Sequence, residues 1–278
     1  MKNSVILTCL SLIIILVLWV IWGNVTIEAT DINIINSKIP EAFNGYTIVQ
    51  ISDLHNAQFG DNNKNLLNKI KNSSPDLIVI TGDLVDSRHT DIKAGIDFAV
   101  KAQEIAPIYY VNGNHESRLS EYKEFENSLI NIGVTVLRNE SIELKRNNDK
   151  ITITGIEDPA FYSINHSEEI IKDLLNNIEC DYSYFNILLS HRPEAFEVYV
   201  ENKFNLVFTG HAHGGQFRIP FSGGILAPGQ GFFPKYDSGL YTEKDTSMIV
   251  SRGLGNSLFP FRLNNKPEII VAKLNNKL

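Results

Sequence analysis

Five times along the chain, a short apolar run rich in β-branched residues stops at a group able to bind a cation. "TIVQIS" runs into Asp53 and His55, "LIVITG" into Asp83, "YYVNG" into Asn114 and His115, "ILLS" into His191, and "LVFTG" into His211 and His213. Runs of this length and composition read as buried strands. Between the first three, "NKNLLNKIKNS" and "DIKAGIDFAVKAQEI" carry apolar residues at helical spacing, Leu66, Leu67 and Ile70 in one and Ile92, Ile96, Ala99 and Val100 in the other. The order is βαβαβ, so the fold class is α/β. In open α/β sheets functional groups gather beyond the carboxyl ends of the strands, which is where these polar residues stand.

Further along, "VTVLRNESIEL" and "ITITGIEDP" read as paired strands and "SEEIIKDLLNNI" as a helix, while "GGQFRIP", "SMIVSRGLG" and "EIIVAKL" read as strand and loop. No internal repeat or low-complexity linker divides the chain. Its 278 residues with 43% hydrophobic content suit one large domain. A net charge of -7 without any basic run argues against nucleic acid as a partner.

Residues Val5 to Trp22 carry no charge and are just numerous enough to cross a bilayer as a helix, with tryptophans at the end that would meet the interface. The run is long for a signal peptide, and no small-x-small cleavage site follows it, so an anchor is expected. The expected division is 1–4 as a short cytoplasmic N-terminus, 5–22 as a transmembrane signal-anchor and 23–278 as the main domain. Lys2 precedes the span and Glu28 and Asp31 follow it, which by the positive-inside rule places the domain outside the cytoplasm, on a single-pass cell-membrane protein. Cys9 lies in the span and Cys180 in the domain, so no intramolecular disulfide is expected.

Taken singly, an Asp after a strand is a turn or cap residue, and a lone His is a satisfied core or surface group. Jointly the balance reverses, because five of the seven histidines fall at these strand ends. His89 and His166 do not, and read as helix-start or loop residues. Side chains two apart in extended backbone point to one side, so Asp53 with His55 and His211 with His213 are each expected to present two ligands to one cavity. Carboxylate, amide and imidazole without thiolate suit Mn, Fe or Zn, and two divalent ions sharing one carboxylate fit the ligand count.

The ordered set "SDLH", "TGDLVD", "NGNHE", "LLSH" and "GHAH" resembles the calcineurin-like metallophosphoesterases, over essentially everything after the span. The resemblance implies a four-layer α/β/β/α sandwich and a dinuclear site. In it Asp53, His55 and His213 hold one ion, Asn114, His191 and His211 hold the other, and Asp83 bridges. It implies that His115 lies against the scissile phosphate as proton donor or charge stabiliser, and that a metal-bridging hydroxide attacks. The last part, from "GHAHGGQFRIP" onward, looks like the membrane-anchored or exported bacterial branch.

The expected activity is that of a metal-dependent phosphoric ester hydrolase, first a phosphodiesterase on a cell-envelope or lipid-linked substrate. The alternative is a phosphomonoesterase or pyrophosphate-bond hydrolase on a nucleotide-sugar or lipid headgroup. A non-catalytic metal-binding scaffold ranks below both, since no ligand is missing. A monomer is expected, with the membrane and a phosphoester as its partners. Many family members read "GNHD" where this chain has Glu116, a carboxylate expected to orient His115. Arg192 and Arg252 are candidates for gripping the substrate, with a structural ion pair as the competing account. Phe221, Phe232, Phe233, Phe259 and Phe261 are expected to pack in the core, or else to form an apolar rim for a lipid-linked substrate.

Overall fold

Strands covered on both faces need no alternation of apolar and polar residues. In the computed structural model, which describes residues 2–163, 165–256 and 259–276, Leu77–Thr81, Asn186–Leu189 and Leu206–Thr209 are buried at every position. Met1, from the expected N-terminal segment, and Ser257 and Leu258, from the expected branch-specific stretch, lie outside the described residues.

In chain order the elements are α1 (Lys2–Val25), β1 (Glu28–Ile35), β2 (Thr47–Ile51), α2 (Lys64–Asn72), β3 (Leu77–Thr81), α3 (Ile92–Gln103), β4 (Ile108–Val111), α4 (Tyr122–Asn131) and β5 (Thr135–Val136). There follow β6 (Glu140–Arg146), β7 (Asp149–Gly155), α5 (Ser167–Asn176), β8 (Asn186–Leu189), α6 (Phe196–Glu201) and β9 (Leu206–Thr209). Two small hairpins come next, β10 (Arg218–Ile219) with β11 (Gly223–Gly224) and β12 (Leu226–Ala227) with β13 (Gly231–Phe232). The last strands are β14 (Gly239–Glu243), β15 (Thr246–Val250) and β16 (Glu268–Asn275).

One sheet has the order β1-β16-β2-β3-β4-β5 and is parallel from β2 to β5. The other has the order β14-β15-β9-β8-β7-β6, parallel in its middle and antiparallel at both edges. Their inner faces meet through Ile48, Val79 and Val111 on one side and Ile153, Ile187 and Phe208 on the other. Helices α2 to α4 cover the outer face of the first sheet through Ile70, Phe98 and Phe125. On the second sheet, α5 and α6 do so through Ile171, Phe196 and Tyr199. The result is a mixed α/β sandwich with its sheets inside, each large buried apolar side chain adding about 2 kcal/mol.

Helix α3 buries Gly95, Phe98, Ala99 and Ala102, whereas Val100, expected on its inner face, is exposed. The inner stripe is rotated because Phe98, the bulkiest apolar residue there, takes the core position. Asp91 starts the helix by accepting the Ala94 N–H at 3.1 Å. Behind the carboxyl ends of the strands, the Gln50 side-chain amide donates to the Thr209 carbonyl and to Thr81 Oγ1, both at 2.8 Å. That buried side chain ties the two sheets together where the site begins.

Helix α1 stands clear of these cores. Among the described residues it is the one helix long and apolar enough to cross a membrane, over Val5–Val25, and that window is not buried by the rest of the chain.

Candidate metal centre

Loops leaving β2, β3 and β4 of one sheet and β8 and β9 of the other converge. They bring Asp53, His55, Asp83, Asn114, His115, His191, His211 and His213 together, all buried. The backbone is not extended there. Positive φ angles occur at Asp53 (51°), His55 (47°), Asp83 (53°), His211 (64°) and His213 (50°). The two-residue pairs therefore converge through left-handed turns and not through strand alternation, which corrects the expectation from spacing. Such a conformation costs about 1–2 kcal/mol for a residue with a Cβ, and Asp and His are among the types that tolerate it best.

Backbone bonds hold these turns in place. Asp53 N–H donates to the Gly82 carbonyl and His55 N–H to the Asp83 carbonyl, both at 3.0 Å, and His211 N–H donates to Asp53 Oδ2 at 3.1 Å. At Gly210 a Cβ would overlap Ser52 Oγ and the Asp53 carboxylate, so the close approach of the two loops admits only glycine.

Two clusters of the expected ligands result, and a third group, His55, Asp86 and His115, adjoins the first through His55. In the first, Asp53, His55, Asp83 and His213 offer donor atoms all within 4.8 Å of one another. His213 Nε2 is 3.2 Å from Asp53 Oδ1 and 3.3 Å from His55 Nε2. In the second, His191 Nε2 lies 3.3 Å from Asp83 Oδ2 and 3.1 Å from His211 Nδ1. Asp83 Oδ2 also lies 3.6 Å from His55 Nε2, so one carboxylate oxygen faces both clusters. Asn114 Oδ1 is buried and has no hydrogen-bond partner among the described residues. An oxygen left so costs about 1–3 kcal/mol, as expected of a donor kept for a cation. These donors fit a dinuclear divalent metal site.

The electrostatics agree with this. Burial pushes His55 down to about 3 and holds His211 and His213 well below the usual histidine range, so these imidazoles are neutral and able to ligate. Burial also disfavours charge on His191, but Asp83 and Asp53 outweigh it and push it up to about 10. Burial raises Asp53 to about 6. Asp83, buried as deeply, is nevertheless held well below the usual carboxylate range by His191, His55 and His115. Without metal, His191 and Asp83 are thus an ion pair whose proton a cation would displace.

Sequence reasoning missed the partner of His115. Glu116 does not orient it: its Oε1 accepts the N–H groups of Leu84 and Val85, and its Oε2 those of Asp83 and Gly113. The longer Glu side chain reaches the turn after β3 and holds Asp83 from behind. Asp86 takes the expected role, with Oδ1 3.3 Å from His115 Nδ1, a nitrogen that also accepts the Ser87 N–H at 3.1 Å. Asp86 is part of "TGDLVD", but only the fold shows that its side chain turns toward the loop after β4.

Arg192 forms the structural ion pair, its Nε donating to Asp158 Oδ2 at 2.6 Å and its Nη2 to Oδ1 at 2.9 Å. Its Nη1 rests 2.8 Å from His211 Nε2. Arg252 is bound to Glu268 and Glu28 and lines a separate cavity beside Trp19 and Trp22, so it does not reach the clusters. The catalytic cavity, about 760 Å³, instead presents Arg88, Arg118 and Arg192 around Asp83, Asn114 and His115. Arg88 is bonded to Asp86, while Arg118 has no ion pair among the described residues. His166 lines the mouth of the cavity and pairs with Glu169, outside both clusters, and His89 also lies outside them.

Residues 46–215 match the calcineurin-like phosphoesterase family. The chain is 33% identical over 254 residues to the uncharacterized metallophosphoesterase YkuE of Bacillus subtilis, covering 89% of this chain and 85% of that one. It is 28% identical over 203 residues to the phosphodiesterase YaeI of Escherichia coli, covering 72% and 70%. Among solved structures it resembles the phosphopantetheinyl hydrolase PptH of Mycobacterium tuberculosis, with a TM-score of 0.50, 12% identity and coverage of 76% and 91%, a likeness of fold alone. With its clustered ligands on such a sandwich, the chain is a metal-dependent hydrolase that belongs to the calcineurin-like phosphoesterase family.

Proposed function

We propose that the protein is a membrane-anchored, dinuclear metal-dependent phosphodiesterase acting on a phosphoester of the membrane or cell envelope. The observation that carries the reading is the position of Asp83. Its Oδ2 faces both clusters, and its Oδ1 accepts the backbone N–H of His115 at 2.8 Å. One carboxylate thus ties both cation positions to the residue proposed to transfer a proton.

In this reading Asp53, His55 and His213 hold one ion, Asn114, His191 and His211 hold the other, and Asp83 is shared. When bound, two divalent ions activate the attacking water and stabilise the charge that spreads over the phosphoryl oxygens. The chain's own groups do the rest. Because Ser87 N–H donates to His115 Nδ1, the neutral ring carries its proton on Nε2. In the neutral ring Nε2–H can hydrogen-bond to the leaving oxygen. To give a proton the ring must first be protonated on both nitrogens, a form that the Asp86 carboxylate beside Nδ1 stabilises, and it returns to the neutral ring afterwards. Arg118 is placed to meet an anionic part of the substrate.

A cavity of about 760 Å³ is far larger than one phosphate and has room for groups on both sides of phosphorus, which supports a diester. The printed name of YaeI supports the same reading. The apolar window of α1 supports anchoring at 5–22, with 23–278 as the catalytic unit, and Lys2, Glu28 and Asp31 support an extracytoplasmic domain.

The test uses the full chain in detergent, chelated and then reloaded with Mn, Fe or Zn, on bis-p-nitrophenyl and p-nitrophenyl phosphate. Diester hydrolysis that needs added metal and vanishes in Asp83→Asn is expected. Activity surviving both chelation and Asp83→Asn overturns the two-ion site, and a clear preference for the monoester overturns the diester reading.

A further inference from the structure

Every exposed phenylalanine among the described residues lies in one region: Phe221 (109% exposed), Phe232 (74%), Phe233 (68%), Phe259 and Phe261. The expectation that these rings pack in the core is therefore corrected. The region is continuous. The Phe217 ring centroid lies 5.0 Å from that of Phe259 and 5.5 Å from that of Phe261, and Arg218 N–H donates to the Leu263 carbonyl at 3.0 Å. Ile225 donates to the Phe217 carbonyl and accepts from Phe233 N–H, both at 2.8 Å, which joins the second hairpin to the first. Scattered surface rings need no explanation, but a contiguous apolar patch marks an interaction surface.

Backbone conformation gives a second reason to read the rings as functional. Phe221 has φ 67° and Phe233 has φ 53°, in the left-handed region that turn chemistry assigns to Gly or Asn. A bulky aromatic in that conformation is an outlier. Folding would favour a small residue both at Phe221, in the tip between β10 and β11, and at Phe233, just after β13, so the rings serve something outside the fold.

The position of the patch identifies the partner. Arg262, between Phe261 and Leu263, donates its backbone N–H to Asn24 Oδ1 at 2.7 Å and accepts from Asn24 Nδ2 at 2.9 Å. Asn24 is in the last turn of α1, and Lys266 Nζ lies 4.1 Å from the Trp22 ring centroid. The patch therefore begins where the spanning helix meets the domain. An apolar surface continuous with the exit of a membrane helix meets lipid, and aromatic rings are well suited to the headgroup boundary.

Resting on the anchored reading above, we propose that the phenylalanine-tipped segments 217–233 and 259–263 dock into the headgroup region of the leaflet from which α1 emerges. The domain is seated on the bilayer and not merely tethered to it. The surface is built into the active site as well. The Gln216 side-chain amide donates to the carbonyls of Phe259 and Phe261 at 3.3 and 2.8 Å, three residues after His213. Pro228 and Gly229, in the turn between β12 and β13, line the catalytic cavity, while Phe232 stands exposed on the same hairpin. Docking thus sets the cavity beside the lipid surface, where a phosphoester carried by a membrane lipid would be presented.

The full chain in phosphatidylcholine and phosphatidylglycerol nanodiscs, with Cys9→Ser and Cys180→Ser, provides the background for the test. A nitroxide is placed in turn at Phe221→Cys, Phe233→Cys, Ile13→Cys in α1 and Lys145→Cys on β6. Electron paramagnetic resonance power saturation by oxygen and by a soluble nickel chelate reports the depth of each. Lipid exposure at 221, 233 and 13, with water at 145, is the result expected. Water at 221 and 233 with lipid at 13 overturns the docking surface and leaves the anchor standing. Water at 13 overturns the anchored reading and the docking surface with it.

Discussion

Asp86 meets His115 through one oxygen and one nitrogen, Oδ1 and Nδ1, 3.3 Å apart. Once the ring is protonated, its Nδ1–H can donate to this carboxylate, which then holds it from the side away from Nε2. Removing such a support costs about 10- to 100-fold where it has been measured around metal sites. Asp86→Asn should lower kcat by that amount, and His115→Ala by about 10²- to 10⁴-fold. Both variants should keep the wild-type metal content, measured by elemental analysis beside the rate. Burial works against the charge on Asp86, but its bonds from Arg88 win and hold it near 2. Its contribution to stability is therefore complete above the ordinary value of 3.8 and fades only as pH falls toward about 2. Acid unfolding of Asp86→Asn and of the parent should accordingly converge only in that low range.

Glu116 accepts four backbone N–H groups from two loops. In Glu116→Gln, an amide NH₂ must face two of those donors, leaving them buried and unpaired. A loss of about 2–6 kcal/mol is expected, since each such group costs about 1–3 kcal/mol. Urea unfolding of the metal-free protein is the measurement. An unchanged midpoint would mean that the turn after β3 does not depend on Glu116.

His213 combines a ligand position with φ 50°. Alanine and glycine both remove the imidazole, but only glycine relieves the backbone. With metal chelated from both, His213→Gly should therefore be the more stable of the two, by about 1 kcal/mol. Equal midpoints in thermal unfolding would count against strain at this residue.

The Arg192 and Asp158 pair is bidentate, with Asp158 buried and Arg192 partly so, and removing Arg192 strands the buried carboxylate. Arg192→Met should destabilise by about 3–5 kcal/mol, and Arg192→Met with Asp158→Leu should recover much of the loss. The double-mutant cycle in urea separates this from a role in substrate binding. That role would instead appear as a raised KM in protein that is still folded.

Much of this was legible because strands β2, β3, β4, β8 and β9 are buried on both faces and so stand out as unbroken apolar runs. The polar residues following them could be read as one set because the parallel order sends their carboxyl ends the same way. Other features depend on partners far away in sequence. Strand β1 (Glu28–Ile35) has a mixed pattern because it lies at a sheet edge, and only its pairing with β16 defines it. Helix α6 is six residues long and too short for periodicity to show. The left-handed turns at Asp53 and His211 are imposed by the contact between the two loops, so spacing pointed to an extended geometry that does not occur. The role of Glu116 could not be read because its four donors come from the β3 and β4 turns.

The pairing of β1 with β16 also bears on how the domain withstands drag. Thr26 and Ile27 alone separate α1 from β1, which runs parallel to β16 from Glu28 opposite Glu268 to Ile35 opposite Asn275. A pull arriving from the helix along the strand axis shears this ladder, straining its rungs together instead of peeling them one at a time. The first strand after the helix is thus mechanically the right one to receive tension, and β16 stands between it and β2, the nearest strand that ends at a candidate metal ligand.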